Sequence, residues 1–315
     1  MTKDTILMFL RRNGALVVLA IILTAVSTAA PGILRWRAIN SLLQDNAPLL
    51  IMIVGATLPI LLGCLDLSIA AMASLAAVMA AMLSPALGSA SAYVVVAGAA
   101  MIGGLQGWMI GRLQVPSFVI SLGALGIFKG IGMYLTAADM VGIAPGISVY
   151  ETLGSRSFGI SNAFILVLIV AWLFTLMLKL SNLGRNIYAF GANEIAVYIS
   201  GVRRDMVRAF AFAASSGCAA LGGVMMISQT MFASATVANS LLLPALVGVV
   251  VGGTAISGGV GGVLSSLIGG LIAILIRVGV TISGLPPESQ DVAFGITILI
   301  AVALTTDRAK IGLVK

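Results

Sequence analysis

Side chains able to do chemistry are scarce in this 315-residue chain. It has no histidine, two cysteines, and 10 acidic against 17 basic residues, for a net charge of +7. Without histidine, the commonest metal ligand and the commonest proton shuttle near neutral pH are missing. Cys64 and Cys218 lie in or beside apolar runs and read as buried, inert thiols rather than a disulfide or a metal knuckle. No G-x-x-x-x-G-K-[ST] loop is present, and the glycine-rich run 252–262 holds no lysine, so the chain is not expected to hydrolyse ATP. Nor is there an H-E-x-x-H, a G-x-S-x-G elbow or a carboxylate pair on one helix face. The sequence therefore assigns no catalytic residue, no metal ligand and no cofactor site, and an enzyme is not expected.

Charges inside apolar segments are costly, which makes each one a functional candidate. Asp66 lies between the second and third apolar segments, Lys129 inside the fifth and Arg277 late in the ninth. Arg277 reads as an anchor whose long side chain reaches the interface. Lys129 either does the same or pairs with Asp139. Asp66, followed by Ser68, either caps the next helix through its carboxylate or serves a gating or pathway role; the residues alone leave both open.

These few groups must be positioned by apolar elements. The chain is 60% hydrophobic and 9% charged, whereas soluble domains carry roughly 25% charged residues. The expectation is an all-α polytopic transmembrane helical bundle of about ten spans (eight to ten). One membrane domain fills residues 1–315, and any energy-converting domain resides on another polypeptide. A span needs about 20 apolar residues, and the runs fall at 14–33, 47–65, 67–84, 91–111, 116–136, 161–180, 207–229, 241–256, 262–282 and 292–305. Gly14 to Ala30 exceeds a signal-peptide core and reads as a retained first helix. The last three runs, and the pair meeting at Asp66, look short or glycine-broken. Such breaks must line a cavity or be covered by protein.

The basic residues supply orientation rather than a nucleic-acid surface. With ten spans and an inside N-terminus, Lys3, Arg11, Arg12, Arg112, Lys179, Arg185, Arg203, Arg204, Arg208, Arg308, Lys310 and Lys315 face the cytoplasm. Only Arg35, Arg37, Lys129, Arg156 and Arg277 do not. The positive-inside rule then puts both termini in the cytoplasm. Packing is expected from small residues four apart: Gly103, Gly107 and Gly111 on one helix, and Gly258, Gly262, Ser266 and Gly270 on another. The pieces Gly63 to Ser68 (GCLDLS) and Gly252 to Ser257 (GGTAIS) look alike; an internal repeat and a chance match in low-complexity Gly/Ala/Leu sequence are both compatible with this, and the second is favoured.

The longest internal segment, about 181–206, carries the densest charge. After a turn at 181–185, Gly191 to Gly201 reads as a short capped helix. Asn193 is the N-cap, Glu194 complements the positive helix end and Gly201 closes it. A loop helix resting on headgroups and a lever for a soluble partner are both compatible with that reading.

Four segments together resemble the ribose-type permeases of bacterial ATP-binding-cassette importers. They are Gly63 to Ile69 (GCLDLSI), Arg112 to Gly123 (RLQVPSFVISLG), Gly191 to Gly201 (GANEIAVYISG) and Val251 to Gly262 (VGGTAISGGVGG), in the family's order. Cys64 and Leu65 depart from the family's Gly-Ile, and Val197 and Tyr198 from its smaller or more polar residues. The resemblance implies a bacterial inner-membrane permease for a sugar or sugar-like solute. It also implies a second permease chain, two ABC ATPase copies or one fused tandem ATPase, and an extracytoplasmic solute-binding protein. Gly191, Ala192, Asn193, Glu194, Ala196, Ser200 and Gly201 would form the loop that docks into the ATPase. A weak, uncharged passage would suffice, with Asp66, Ser68, Ser117 and Ser121 near it. Membrane lipids are the other partner, and no nucleic acid is expected. The alternative class is an ion-coupled secondary transporter, which the shortage of intramembrane carboxylates disfavours.

Overall fold

A computed structural model describes residues 3–305, with side chains placed for 14–302. The terminal basic residues that set the expected orientation (Lys3, Arg11, Arg12, Arg308, Lys310 and Lys315) lie outside the described side chains. Where water is absent a chain must pair its own backbone polar groups, and helices do so within one segment. The apolar runs accordingly form α1 (Lys3–Ala29), α2 (Trp36–Asp45), α3 (Ala47–Leu61), α4 (Ile69–Leu87), α5 (Ala90–Leu113) and α6 (Ser117–Thr136). They continue as α7 (Ser148–Gly154), α8 (Asn162–Leu180), α9 (Asn182–Ala192), α10 (Glu194–Ile199) and α11 (Arg204–Thr230). The last three are α12 (Leu242–Val251), α13 (Val263–Ile282) and α14 (Ser289–Thr305). Two-residue strands β1 (Val141–Gly142), β2 (Arg156–Ser157), β3 (Ile160–Ser161) and β4 (Phe232–Ala233) pair antiparallel as β1 with β4 and β2 with β3.

Six helices, α4, α5, α6, α8, α11 and α13, are long and apolar enough to cross a membrane. The pair α2 and α3, bent by 54° at Asn46, makes a seventh if it is one span. The bend has a local cause: Asn46 Nδ2 donates to Leu42 O at 2.9 Å and closes α2, while a proline stands in the first turn of α3. Three further apolar helices, 14–29, 239–251 and 289–302, are shorter. Each expected apolar run thus contains a helix, and six helices, or seven with the bent pair, are long enough to span, against the eight to ten spans expected. α12 ends after 10 residues because Gly253 turns to φ +91°. α13, among the runs that look short or glycine-broken, is an uninterrupted 20-residue helix.

α11 occupies the middle of the bundle and packs against α5, α3 and α4. Every residue of α3 is buried. The α5–α11 seam is built on glycine. A Cβ on Gly103 would overlap Phe212 O and the Ser216 side chain, one on Gly107 the Arg208 carbonyl, and one on Gly111 the Asp205 backbone. Such close approach supplies the dispersion contact that holds helices together where no hydrophobic drive exists between them. The second expected stripe needs correction. Gly258 lies in a loop with φ +85°, and Gly262 is the N-cap of α13, so Gly258, Gly262, Ser266 and Gly270 do not share a helix face. Ser266 and Gly270 are on α13, and a Cβ on Gly270 would come within 2.8 Å of Leu50 and Ile53. The close α12–α13 approach runs instead through Gly248, Gly252 and Gly269.

Gly107→Ala should lower the thermal unfolding temperature in detergent, since forced overlap costs about 1–3 kcal/mol. Gly98→Ala, on the same helix but with nothing within 4 Å of the new Cβ, should raise it slightly through helix propensity, by up to about 1 kcal/mol. Equal effects at the two sites would contradict the seam.

Candidate functional site

α3 stops at a turn in which Gly63 N–H donates to Ile60 O and Cys64 N–H to Pro59 O, each at 2.9 Å. Gly63 takes φ +71°, which glycine adopts without a Cβ penalty. The following segment, 62–68, is held by hydroxyls. Leu65 N–H donates to Ser117 Oγ at 3.0 Å, and Ser121 Oγ donates to Leu65 O at 3.3 Å. Ser117 and Ser121 stand one turn apart at the start of α6. Asp66 is 2% exposed. Its Oδ1 accepts from Ser68 N–H at 3.0 Å and Ser68 Oγ at 2.6 Å, and its Oδ2 from Ser215 Oγ on α11 at 2.7 Å. Gln106 Nε2 reaches Ser68 Oγ at 3.4 Å.

Asp66, Ser68, Ser117 and Ser121, singled out in the sequence, are therefore brought together at one interruption between α3 and α4. Asp66 accepts the N–H of Ser68, the N-cap of α4, and also ties α4 to α11. Ser215 and Gln106 were missed: Ser215 sits in the featureless run AASSG, and Gln106 lies inside an apolar helix.

A matching interruption lies between α12 and α13. Gly253 N–H donates to Val250 O at 2.9 Å and Thr254 N–H to Val249 O at 3.2 Å, the same closing pair as at the first break. This equivalence sets Gly63 beside Gly253 rather than Gly252, one residue from the register suggested by the two sequence pieces. Here no carboxylate intervenes. Thr254 Oγ1 and Ser266 Oγ lie 2.9 Å apart, and Gly262 N–H donates to Thr254 Oγ1 at 3.3 Å. The two breaks touch: Gly259 N–H donates to Leu61 O at 2.9 Å, and a Cβ on Gly258 would meet Gly63 N at 2.7 Å.

Segment 181–201 forms two helices rather than a turn and one helix. Ser181 Oγ accepts from Gly184 N–H at 3.0 Å and starts α9, which replaces the turn expected at 181–185. Asn193 Oδ1 accepts from Ala196 N–H at 3.0 Å and caps α10, and Gly201 takes φ +82° beyond its end. Ser200 Oγ donates back to Ala196 O at 2.9 Å. Glu194, in the first turn of α10, pairs with Arg208 of α11 at 2.8 Å. Ile195, Tyr198 and Ile199, three and four residues apart, are exposed, and Arg204 stacks over the Tyr198 ring at 4.5 Å. Gly191 wedges against the breaks, since a Cβ there would overlap Leu61 O and Gly259 N; Ala192 N lies 2.8 Å from where a Cβ of Gly259 would stand. Tyr188 donates its hydroxyl to Gly261 O at 3.0 Å, and burial pushes its phenol above the ordinary range.

A cleft of about 370 Å³ opens where these pieces meet, lined by Cys64, Ser117, Phe118, Arg208 and Ile256 among others. Lys129 is exposed and does not pair with Asp139; among the described residues the ion pairs are Arg203–Asp205 and Glu194–Arg208. Arg277 faces a separate cleft beside Asp45 and Asn46.

Residues 38–302 match the family described as branched-chain amino acid transport system / permease component. The chain belongs to this family. The permease is 29% identical over 301 residues to the ribose import permease RbsC of Escherichia coli (strain K12), covering 93% of each chain. It is 32% identical over 297 residues to YphD, a probable ABC transporter permease of the same strain, covering 92% of this chain and 87% of that one. It is 29% identical over 325 residues to the galactose/methyl galactoside import permease MglC of that strain, covering 96% of both. No solved structure matches the permease. It is an integral membrane permease component of the ABC transporter type and not an enzyme, since ATP hydrolysis in such transporters belongs to separate subunits.

Two adjacent serines on α11 test how the first break is held. Ser215→Ala removes a donor from the buried Asp66 carboxyl and should cost about 1–3 kcal/mol. Ser216 Oγ is buried without a hydrogen-bond partner, so Ser216→Ala should be neutral or stabilising. Thermal unfolding of the purified permease in detergent reads both, and an equal loss at the two positions would contradict the assignment.

Proposed function

We propose that this permease forms the translocation pathway of an ATP-driven importer in a bacterial cytoplasmic membrane, and that its cargo is a sugar or sugar-like solute. The carrying observation is the contact of the α9–α10 loop with both helix breaks through Gly191. A soluble subunit seated on α10 would bear directly on the polar interior. The ribose and galactose importers among its relatives support a sugar-like cargo.

In this reading, two ATPase subunits, or one fused tandem ATPase, grip the segment from Gly191 to Gly201. The exposed Ile195, Tyr198 and Ile199 enter an apolar groove of the ATPase. Asn193, Ala196 and Ser200 hold α10 in shape beneath them, and Glu194 fixes it to α11 through Arg208. An extracytoplasmic binding protein delivers the solute from the far side. A second permease chain, identical or related, completes the pathway along α6, the least buried of the six long spans, whose Gly123, Gly126 and Gly130 have no neighbour within 4 Å of a Cβ. If the bent α2–α3 pair and the three shorter apolar helices each cross along with the six long ones, the reading has ten crossings, which would put both termini in the cytoplasm.

The passage needs no tight site. Ser117 reaches the cleft, whereas Asp66, Ser68 and Ser121 are buried and act behind it by fixing the break. Closure of the ATPases on ATP pushes the two loops of a permease pair, and the breaks reorient the helices between outward and inward openings.

Co-purification with the ATPase subunit from the same organism tests this reading. The wild-type permease should retain the ATPase, whereas Glu194→Lys and a Gly-Ser replacement of 193–200 should lose it while remaining folded. If no ATPase is retained by wild type, the energetic assignment fails. Uptake into vesicles driven by an ion gradient then becomes the competing outcome to measure.

A further inference from the structure

Tyr188 lies on α9, ahead of the segment assigned to the ATPase, and docking makes no use of it. Its side chain nonetheless spans the gap between α9 and the second break, ending on Gly261 O at 3.0 Å. The glycine contacts between α9 and that break are backbone against backbone. Gly191 abuts Gly258 and Gly259, and a Cβ on Gly259 would meet Ala192 N at 2.8 Å and Gly191 C at 3.0 Å. Such contacts resist compression and do nothing in extension, because dispersion attraction between a few atoms is only tenths of a kcal/mol. A hydrogen bond resists both, since extension must break it, even at this half-buried site.

The two breaks therefore have different attachments. The first is held under tension from several sides: by Ser117, by Ser121 and by Ser215 through Asp66. Glu194–Arg208 further links α10 to α11, the helix that carries Ser215. The second break is joined to the α9–α10 unit, among the described hydrogen bonds, by Tyr188 alone. Both breaks meet at Gly259 N–H and Leu61 O.

We propose that Tyr188 is a positioning residue of the transport cycle, whose hydroxyl makes the second break follow α9 when the loop withdraws as well as when it advances. This rests on the importer reading. Gly191 transmits the push, and the Tyr188 hydroxyl transmits the pull. Without the hydroxyl α9 still pushes the second break but pulls it only indirectly, through the Gly259–Leu61 bond between the breaks.

The test uses the full complex of the permease with its ATPase, by hydrogen–deuterium exchange of peptides covering 60–68 and 252–262, without nucleotide and after trapping with ATP and vanadate. In wild type, exchange in both breaks should change on trapping. Tyr188→Phe removes one oxygen and should leave ATPase retention and the response of 60–68 intact. It should raise exchange in 252–262 without nucleotide by about fivefold, the scale of one net hydrogen bond, and reduce the nucleotide response there. Gly259→Ala, which forces the two backbones apart, should disturb the response of both breaks. A Tyr188→Phe complex whose 252–262 segment exchanges and responds as in wild type overturns the inference while leaving the importer reading in place. So does a wild-type complex that retains the ATPase yet shows no response in either break. If wild type retains no ATPase, the importer reading falls, and the inference with it.

Discussion

Hydrocarbon offers no partner to a backbone amide or carbonyl, and each such group left unpaired costs several kcal/mol. The architecture depends on meeting that constraint at two places where a helix stops inside the bundle. Both ends close with the same two backbone bonds; beyond them Leu61 O accepts from Gly259 N–H, Leu65 O accepts from Ser121 Oγ, and Leu65 N–H donates to Ser117 Oγ. Leu61 O finds its partner on Gly259, so the two interruptions, nearly two hundred residues apart in the chain, must lie side by side. That proximity leaves no room for a Cβ at positions 191 or 258, while Gly63 is required there by its positive φ. The shortness of α12 follows from the same arrangement.

Charge is distributed to suit. Among the described residues one carboxyl, that of Asp66, is deeply buried, and it is surrounded by hydroxyl and amide donors rather than by a cation. Its role in the fold is to accept, tying α4 and α11 to one point. The second break does the equivalent with a threonine and a serine and carries no acid. The ion pairs among the described residues stand at the α10–α11 end, where long side chains can reach water and screening is cheap.

Much of this was legible in the sequence. Hydrophobic run length located a helix in every expected segment, because pairing of the backbone inside a helix depends on composition and length alone. The glycines at 103, 107 and 111 could be read as a close face because their spacing matches a helix. The Asn193 to Gly201 helix was readable because caps are local. What depends on tertiary contact was not. The glycines at 258 and 262 keep the same spacing, but positive φ at 253, 258, 259 and 261 takes that segment out of the helix. α9 was hidden by Gly184 and Gly191, which look like turn residues and in fact allow tight packing against Leu178 and Leu61. Ser215, Gln106 and Tyr188 carry no local signal, since what distinguishes them is the partner across the bundle.

The meeting of Gly63, Gly191 and Gly258 also shapes how this gene can change. Every glycine codon is one base from codons for larger residues, and no replacement is smaller than what is there. A drifting lineage therefore has no conservative step at these positions. A surface lining the passage, where one small polar side chain can follow another, is free to wander. In the importer reading, new cargo specificities would arise by gradual substitution along the pathway, while the packed glycines beneath it would be inherited whole or lost.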